Sequence, residues 1–95
     1  MLRLYMKPTC PYSTQVLAAN QSMGAVLTLR NVLTDVAARE ELLAKGGKRQ
    51  TPFLEDTARG VLMYESLDII AYLHKNYGSN SAPVVTEVGN VCPIE

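Results

Sequence analysis

Cys10-Pro11-Tyr12-Ser13, directly after the apolar run Leu2–Met6 and the dipeptide Lys7-Pro8, is the segment of this chain best suited to chemistry. The pattern predicts a strand, a short loop and a helix that opens on the cysteine. A thiol at a helix N-terminus faces unpaired backbone N–H groups and the positive end of the helix dipole. Both favour thiolate over thiol, so the pKa of Cys10 should fall. Pro11 fits the first helical turn, where no N–H is needed, and Lys7 brings a positive charge nearby. The expected product is a reactive, partly exposed nucleophile.

The chain has one other thiol, Cys92, in a proline-containing tail. Two cysteines so far apart do not make a disulfide framework. The reading is one catalytic thiol plus one bystander, with a distant resolving thiol as the alternative for Cys92. The single histidine, His74, argues against a zinc site built by this chain. It reads as a solvent-facing residue near a helix C-terminus, where a cation is favourable. Lys45-Gly46-Gly47-Lys48-Arg49 is basic and glycine-containing, but no Lys-Ser/Thr closes a spaced glycine pattern, so it is not a phosphate loop.

The elements that must position Cys10 follow from periodicity and punctuation. Leu2–Met6 reads as a first strand, ended by Pro8. Ser13–Met23 reads as a helix with Tyr12, Val16, Ala19 and Met23 at three- and four-residue spacing, closed by Gly24. Ala25–Val32 is β-branched and leucine-rich with little polar alternation, as in a strand buried on both faces of a parallel sheet. Thr34 caps the next helix and Asp35 suits its first turn. That helix runs to about Lys45, with Glu41 and Lys45 spaced for an ion pair, and Gly46-Gly47 ends it. Pro52–Glu55 and Val61–Tyr64 form a hairpin around a turn at Asp56–Gly60. Ser66 caps a last helix with the apolar stripe Ile69, Ile70, Leu73 and Tyr77, stopped by Gly78. The order is β-α-β-α-β-β-α, and its first half is a right-handed βαβ unit.

Ninety-five residues suit one domain. Residues 1–78 read as that domain and 79–95 as a C-terminal tail without regular pattern, whose valines leave both docking and a loose tail open. Formal net charge is zero, with nine basic and nine acidic residues, so nothing marks a nucleic-acid or membrane-surface binder. No window approaches the ~20 apolar residues of a membrane span. The N-terminal apolar run is too short for a signal peptide. The expected setting is a cytoplasmic monomer.

Four matches in order make the chain resemble the glutaredoxins, within the thioredoxin-like fold, over about residues 1–78. They are Lys7, Cys10-Pro11-Tyr12-Ser13, Gln50-Thr51-Pro52 and Glu65-Ser66. The resemblance implies an α/β fold with a four-stranded mixed sheet flanked by three helices. It implies Cys10 as the catalytic residue, in an active-site loop with Pro11, Tyr12 and Ser13. It implies a glutathione site of Lys7, Tyr12, Gln50, Thr51, Pro52, Glu65 and Ser66. Thr51-Pro52 resembles the family's cis-proline loop, where the preceding backbone pairs with the cysteinyl part of glutathione in a short ladder. The plainer reading of Thr51-Pro52 is a trans proline starting an edge strand.

Glu65-Ser66 looks like the corner that holds the γ-glutamyl end. Helix N–H groups and the Ser66 hydroxyl suit its carboxylate, and Glu65 suits its ammonium. Lys7 and Gln50 suit the glycine carboxylate, whereas Arg49 reads equally as a solvated loop residue. Tyr12 reads either as a shield for a mixed disulfide or as a helix-start aromatic on the core.

Ser13 departs from the dithiol pattern, because a serine hydroxyl cannot resolve a mixed disulfide. The consistent activity is monothiol: Cys10 takes the glutathionyl group from a glutathionylated protein or small disulfide, and a second glutathione releases it. Glutathione is then co-substrate, and no metal site is expected. Two alternatives stand beside this. One is a [2Fe–2S] cluster held by one Cys10 and one glutathione per subunit, against which Pro11-Tyr12 is a stiff, bulky loop. The other is a glutathione-binding module without conjugating activity, since Tyr64–Leu73 resembles the end of a glutathione-transferase N-terminal domain.

Overall fold

The computed structural model describes residues 2–77 and 91–93. Nine elements follow one another: β1 (Leu2–Met6), α1 (Pro11–Met23), β2 (Leu27–Asn31), α2 (Val36–Gly46), β3 (Gln50–Thr51), β4 (Phe53–Asp56), β5 (Val61–Tyr64), α3 (Ser66–Tyr77) and β6 (Cys92–Pro93). Four strands form a mixed sheet in the order β2-β1-β4-β5, and β3 pairs with β6 separately. β1 runs parallel to β2 and antiparallel to β4, which runs antiparallel to β5. This is the thioredoxin-like arrangement expected from the βαβ half and the hairpin half, with three helices on the sheet.

Side-chain alternation along β1 sorts the two layers. Leu2, Leu4 and Met6 join Val16 and Met23 of α1, Leu54, and Ile69, Ile70 and Leu73 of α3 in one buried cluster. Tyr5 points the other way and joins Val32, Ala38, Leu42 and Phe53 under α2. Arg3 shares that second face. It pairs with Glu55 at 3.0 Å, which Lys45 also reaches at 2.7 Å. The buried Tyr5 hydroxyl donates to Glu41 Oε1 at 3.0 Å, and Glu41 pairs with Arg30 at 2.7 Å. One face of the sheet is therefore sealed by apolar contacts and the other partly by an ion network. Burial first, then the Glu41 hydrogen bond, raise the Tyr5 pKa above its ordinary value.

Local chemistry sets the helix ends, and several differ from expectation. Asp35, not Thr34, is the N-cap of α2: its carboxylate accepts from the Ala37 and Ala38 N–H groups. Either residue type can cap, and the carboxylate also meets the positive helix end. Ser66, expected as the cap of α3, is that helix's first residue, preceded by Glu65 at φ 74°. β2 is parallel as predicted but not buried on both faces, because it is the sheet's edge; Leu29 is 49% exposed. Gly24 ends α1 in the left-handed conformation, as its position suggested. The proposed stop at Gly78 and the tail's residues 79–90 lie outside the described residues. Within the tail, Cys92–Pro93 is a docked strand rather than loose chain.

Candidate thiol site

Sheet register brings the site together. Tyr5 on β1 stands opposite Phe53 on β4. Just beyond that pair, Lys7 follows β1 and Thr51 precedes β4. The loop leaving β1 and the segment entering β4 therefore meet at one sheet end, where α1 also begins.

The loop from Lys7 to Cys10 closes as a turn, with Cys10 N donating to Lys7 O at 2.9 Å. Cys10 is the N-cap residue of α1 in extended conformation, its side chain makes no capping hydrogen bond, and Pro11 follows inside the helix. The first turn of α1 contains no acidic residue, so nothing there offsets the positive helix end. Ser13 is buried, and its Oγ accepts from the Lys7 N–H at 3.3 Å. The serine that cannot resolve a mixed disulfide thus braces the loop carrying the thiol.

Cys10 is not the free, partly exposed thiol expected. It is 1% exposed and disulfide-bonded to Cys92, with a Cα–Cα separation of 6.0 Å. The bystander reading of Cys92 is overturned, because both cysteines of the chain are in this bridge. The physical reason is edge pairing: β6 lies antiparallel on β3, with Thr51 opposite Cys92 and Gln50 opposite Pro93. That places the two sulfurs side by side. The Cys10 sulfur lies 3.8 Å from the Thr51 carbonyl oxygen. Lys7 Nζ donates to the Pro93 carbonyl at 3.1 Å.

The Thr51–Pro52 peptide is cis, so the plain trans reading fails. Thr51 and Pro52 are both buried, and Thr51 Oγ1 has no hydrogen-bond partner among the described residues. Gln50 is half-buried beside them. Glu65 is exposed, and its carbonyl accepts from Ile69 N at 3.0 Å in the first turn of α3. The buried Ser66 donates through Oγ to Gln15 Oε1 at 2.7 Å. Gln15 ties the start of α3 to α1, and no sequence signal singled it out.

Lys7, Cys10, Ser13, Thr51 and Pro52 therefore converge, and Ser66 is linked to α1 through Gln15. Pro11 is exposed on the first turn of α1, and Tyr12 is half-buried beside it, outside both core clusters. Arg49 is exposed. His74 is half-buried rather than solvent-facing, and its Nδ1 has no hydrogen-bond partner among the described residues. Among the described residues, no group of three or more His, Cys, Asp or Glu could hold a metal ion. Among them, too, no helix is long and apolar enough to cross a membrane. Chemically, the arrangement combines one sulfur at a helix N-terminus, an adjacent strand edge that pairs with an extended segment, here β6, and one ammonium at its end that meets the Pro93 carbonyl.

A family model described as the N-terminal domain of glutathione S-transferase matches residues 4–81. No curated protein matches the chain significantly. Among solved structures, an unclassified glutathione S-transferase from Bombyx mori superimposes with a TM-score of 0.70 at 26% identity, over 83% of this chain and 37% of that one. A delta-class glutathione transferase from Nilaparvata lugens gives 0.70 at 27% identity, over 84% and 38%. An epsilon-class glutathione S-transferase from the housefly, Musca domestica, gives 0.65 at 28%, over 84% and 37%. The chain thus spans well under half the length of these solved relatives. The thioredoxin-like fold shared with glutaredoxins is present, while the matched family is the one that the Tyr64–Leu73 segment resembles. With residues 4–81 of its 95 matched, this chain belongs to the glutathione S-transferase N-terminal domain family.

Proposed function

We propose that the chain binds glutathione and catalyses thiol–disulfide exchange through Cys10, removing glutathionyl groups from proteins or small disulfides. The observation that carries this reading is the placement of Cys10. Its sulfur stands at the N-terminus of α1, within reach of the Thr51 backbone, and is already joined to another sulfur. A helix-end thiolate is both a good nucleophile and a good leaving group in exchange.

In this reading the extended tripeptide lies along β3, its cysteinyl part pairing with Thr51. Lys7 and Gln50 take the glycine carboxylate. The N-terminal N–H groups of α3 take the γ-glutamyl carboxylate, Glu65 takes the ammonium, and Ser66 with Gln15 supports that corner. Cys10 attacks the glutathionyl sulfur, the substrate thiol leaves, and a second glutathione attacks the Cys10 adduct. Turnover needs a glutathione-rich, reducing compartment, and we place it in the cytosol.

The test is glutathione-coupled reduction of a small glutathionylated disulfide, with the Cys10→Ser chain alongside. Turnover that vanishes in the variant is expected; turnover retained there refutes the assignment. A second reading, conjugation of glutathione to electrophiles, draws on the family match and the names of the solved relatives. A serine at position 10 can still hydrogen-bond a glutathione thiolate, so conjugation would survive Cys10→Ser where exchange would not.

A further inference from the structure

We propose that Cys92 is the resolving thiol of Cys10, and that its strand closes the groove by taking the place of glutathione. The inference rests on the glutathione-exchange reading above and adds a residue and a regulated state to it. Three contacts carry it. Cys92 is bonded to Cys10. Cys92 stands opposite Thr51 in an antiparallel pair. The Pro93 carbonyl, one residue on, accepts from Lys7 Nζ at 3.1 Å. Sulfur, strand edge and ammonium are the three features an extended, cysteine-containing peptide with a terminal carboxylate would use. Cys92 and Pro93 engage all three at once, so this strand and glutathione exclude each other.

The chemistry balances without an outside oxidant. Cys10 thiolate attacks the glutathionyl sulfur of a mixed disulfide, and the substrate thiolate leaves and takes a proton. Cys92 thiolate then attacks the Cys10 sulfur, forming the Cys10–Cys92 bond and expelling glutathione. The substrate disulfide is reduced by two electrons and the protein dithiol is oxidised by two. Return to the dithiol consumes two glutathione thiols: one opens the bridge as a mixed disulfide, and the second removes it as glutathione disulfide. Cys10 is buried and Cys92 half-buried, so the incoming thiol meets Cys92 first. Cys10 then departs as the thiolate that the N-terminus of α1 favours.

The experiment mixes the pre-reduced 95-residue chain with one equivalent of glutathione disulfide and follows intact mass. The unmodified chain should end as the internal disulfide with no glutathionyl group attached, releasing two glutathiones. Cys92→Ser should stop with one glutathionyl group on Cys10 and release one. A lasting adduct on the unmodified chain, equal to that on the variant, overturns the resolving role while leaving the monothiol reading standing. No adduct on Cys92→Ser would sink the exchange reading itself.

Calorimetry with S-methylglutathione, which cannot exchange, tests the closure. The oxidised chain should bind it at least about tenfold more weakly than Cys92→Ser, a difference of about 1.4 kcal/mol. Equal binding overturns the closure. Circular dichroism of the reduced chain must stay folded; unfolding on reduction would make the bridge a structural staple and overturn the proposal.

Discussion

Replacing Gly46 by Ala should destabilise the protein, although the substitution normally favours a helix. Gly46 is the last residue of α2. A Cβ there would run into Tyr64 Oη, and would lie 2.8 Å from Tyr64 Cζ and 3.0 Å from Phe53 Cε1. Helix propensity alone predicts a gain of about 1 kcal/mol. Against it, if the Tyr64 ring stays in place, a clash this close puts overpacking in the upper part of its range, about 2–3 kcal/mol. If the ring swings away, two hydrogen bonds are lost: the Tyr64 hydroxyl donates to Lys48 O at 2.9 Å and accepts from Lys48 N at 3.2 Å. Those are worth about 1 kcal/mol each. The Phe53–Tyr64 ring contact, at 4.6 Å between centroids, goes with them, at a cost of about 1 kcal/mol. Either route outweighs the propensity gain, for a net loss of about 1–2 kcal/mol.

In a domain of this size that lowers Tm by about 4–16 °C. Urea unfolding followed by circular dichroism reads the loss directly. Gly47 supplies the control: it sits at φ +78° with nothing within 4 Å of its Cβ position. Alanine there costs only backbone strain, about 1–2 kcal/mol, and asparagine should recover part of it. Asparagine at position 46 should recover nothing. A Gly46→Ala chain as stable as the parent would refute the packing argument.

Two further outcomes concern the buried Asp56, which accepts from the Tyr72 and Tyr77 hydroxyls at 2.6 Å each and from the Ala58 N–H. Burial pushes its carboxyl up, but those hydrogen bonds outweigh it and hold the pKa below the ordinary value. The stabilisation is therefore complete above the unfolded pKa and lost as pH falls through the folded one. Asp56→Asn should flatten the acid limb of stability against pH; an unchanged limb would contradict this. Burial first, then the hydrogen bond to Asp56, push the Tyr72 hydroxyl up to about 12. An alkaline absorbance titration should show a step near 12 that Tyr72→Phe removes. The associated stability is whole below the ordinary tyrosine pKa and fades as pH rises toward the folded value.

Features written in adjacent residues were legible from sequence. The Cys10-Pro11 helix start, the glycine stop at Gly24, and the stripe Ile69, Ile70 and Leu73 each follow from a few neighbours. The cis Thr51–Pro52 bond came only through resemblance, since local chemistry favours trans. What escaped depends on partners far along the chain. The apolar content of β2 suggested two covered faces, but strand order alone decides that it is an edge. The Ser66–Gln15 hydrogen bond joins residues 51 apart, and the Cys10–Cys92 bridge residues 82 apart. In the bridge, the spacing of two cysteines says nothing, because what aligns them is the free edge of a two-residue strand beside a proline.

The same register couples fold stability to the site. Phe53 stands between Tyr5 on β1 and Tyr64 on β5, stacking against both rings. Tyr64 in turn holds the Lys48 backbone, two residues before Gln50. The strand edge that receives Cys92, and in our reading glutathione, is thus pinned at Lys48 by a tyrosine and at Phe53 by the sheet. Freeing the Lys48 anchor leaves Cys10 and Lys7 in place but loosens the edge that pairs with the peptide. Gly46→Ala should therefore weaken S-methylglutathione binding in the Cys92→Ser background while leaving the Cys10 thiol titration unmoved. A shift in that titration would mean that the helix start, and not only the strand edge, depends on the packing beneath α2.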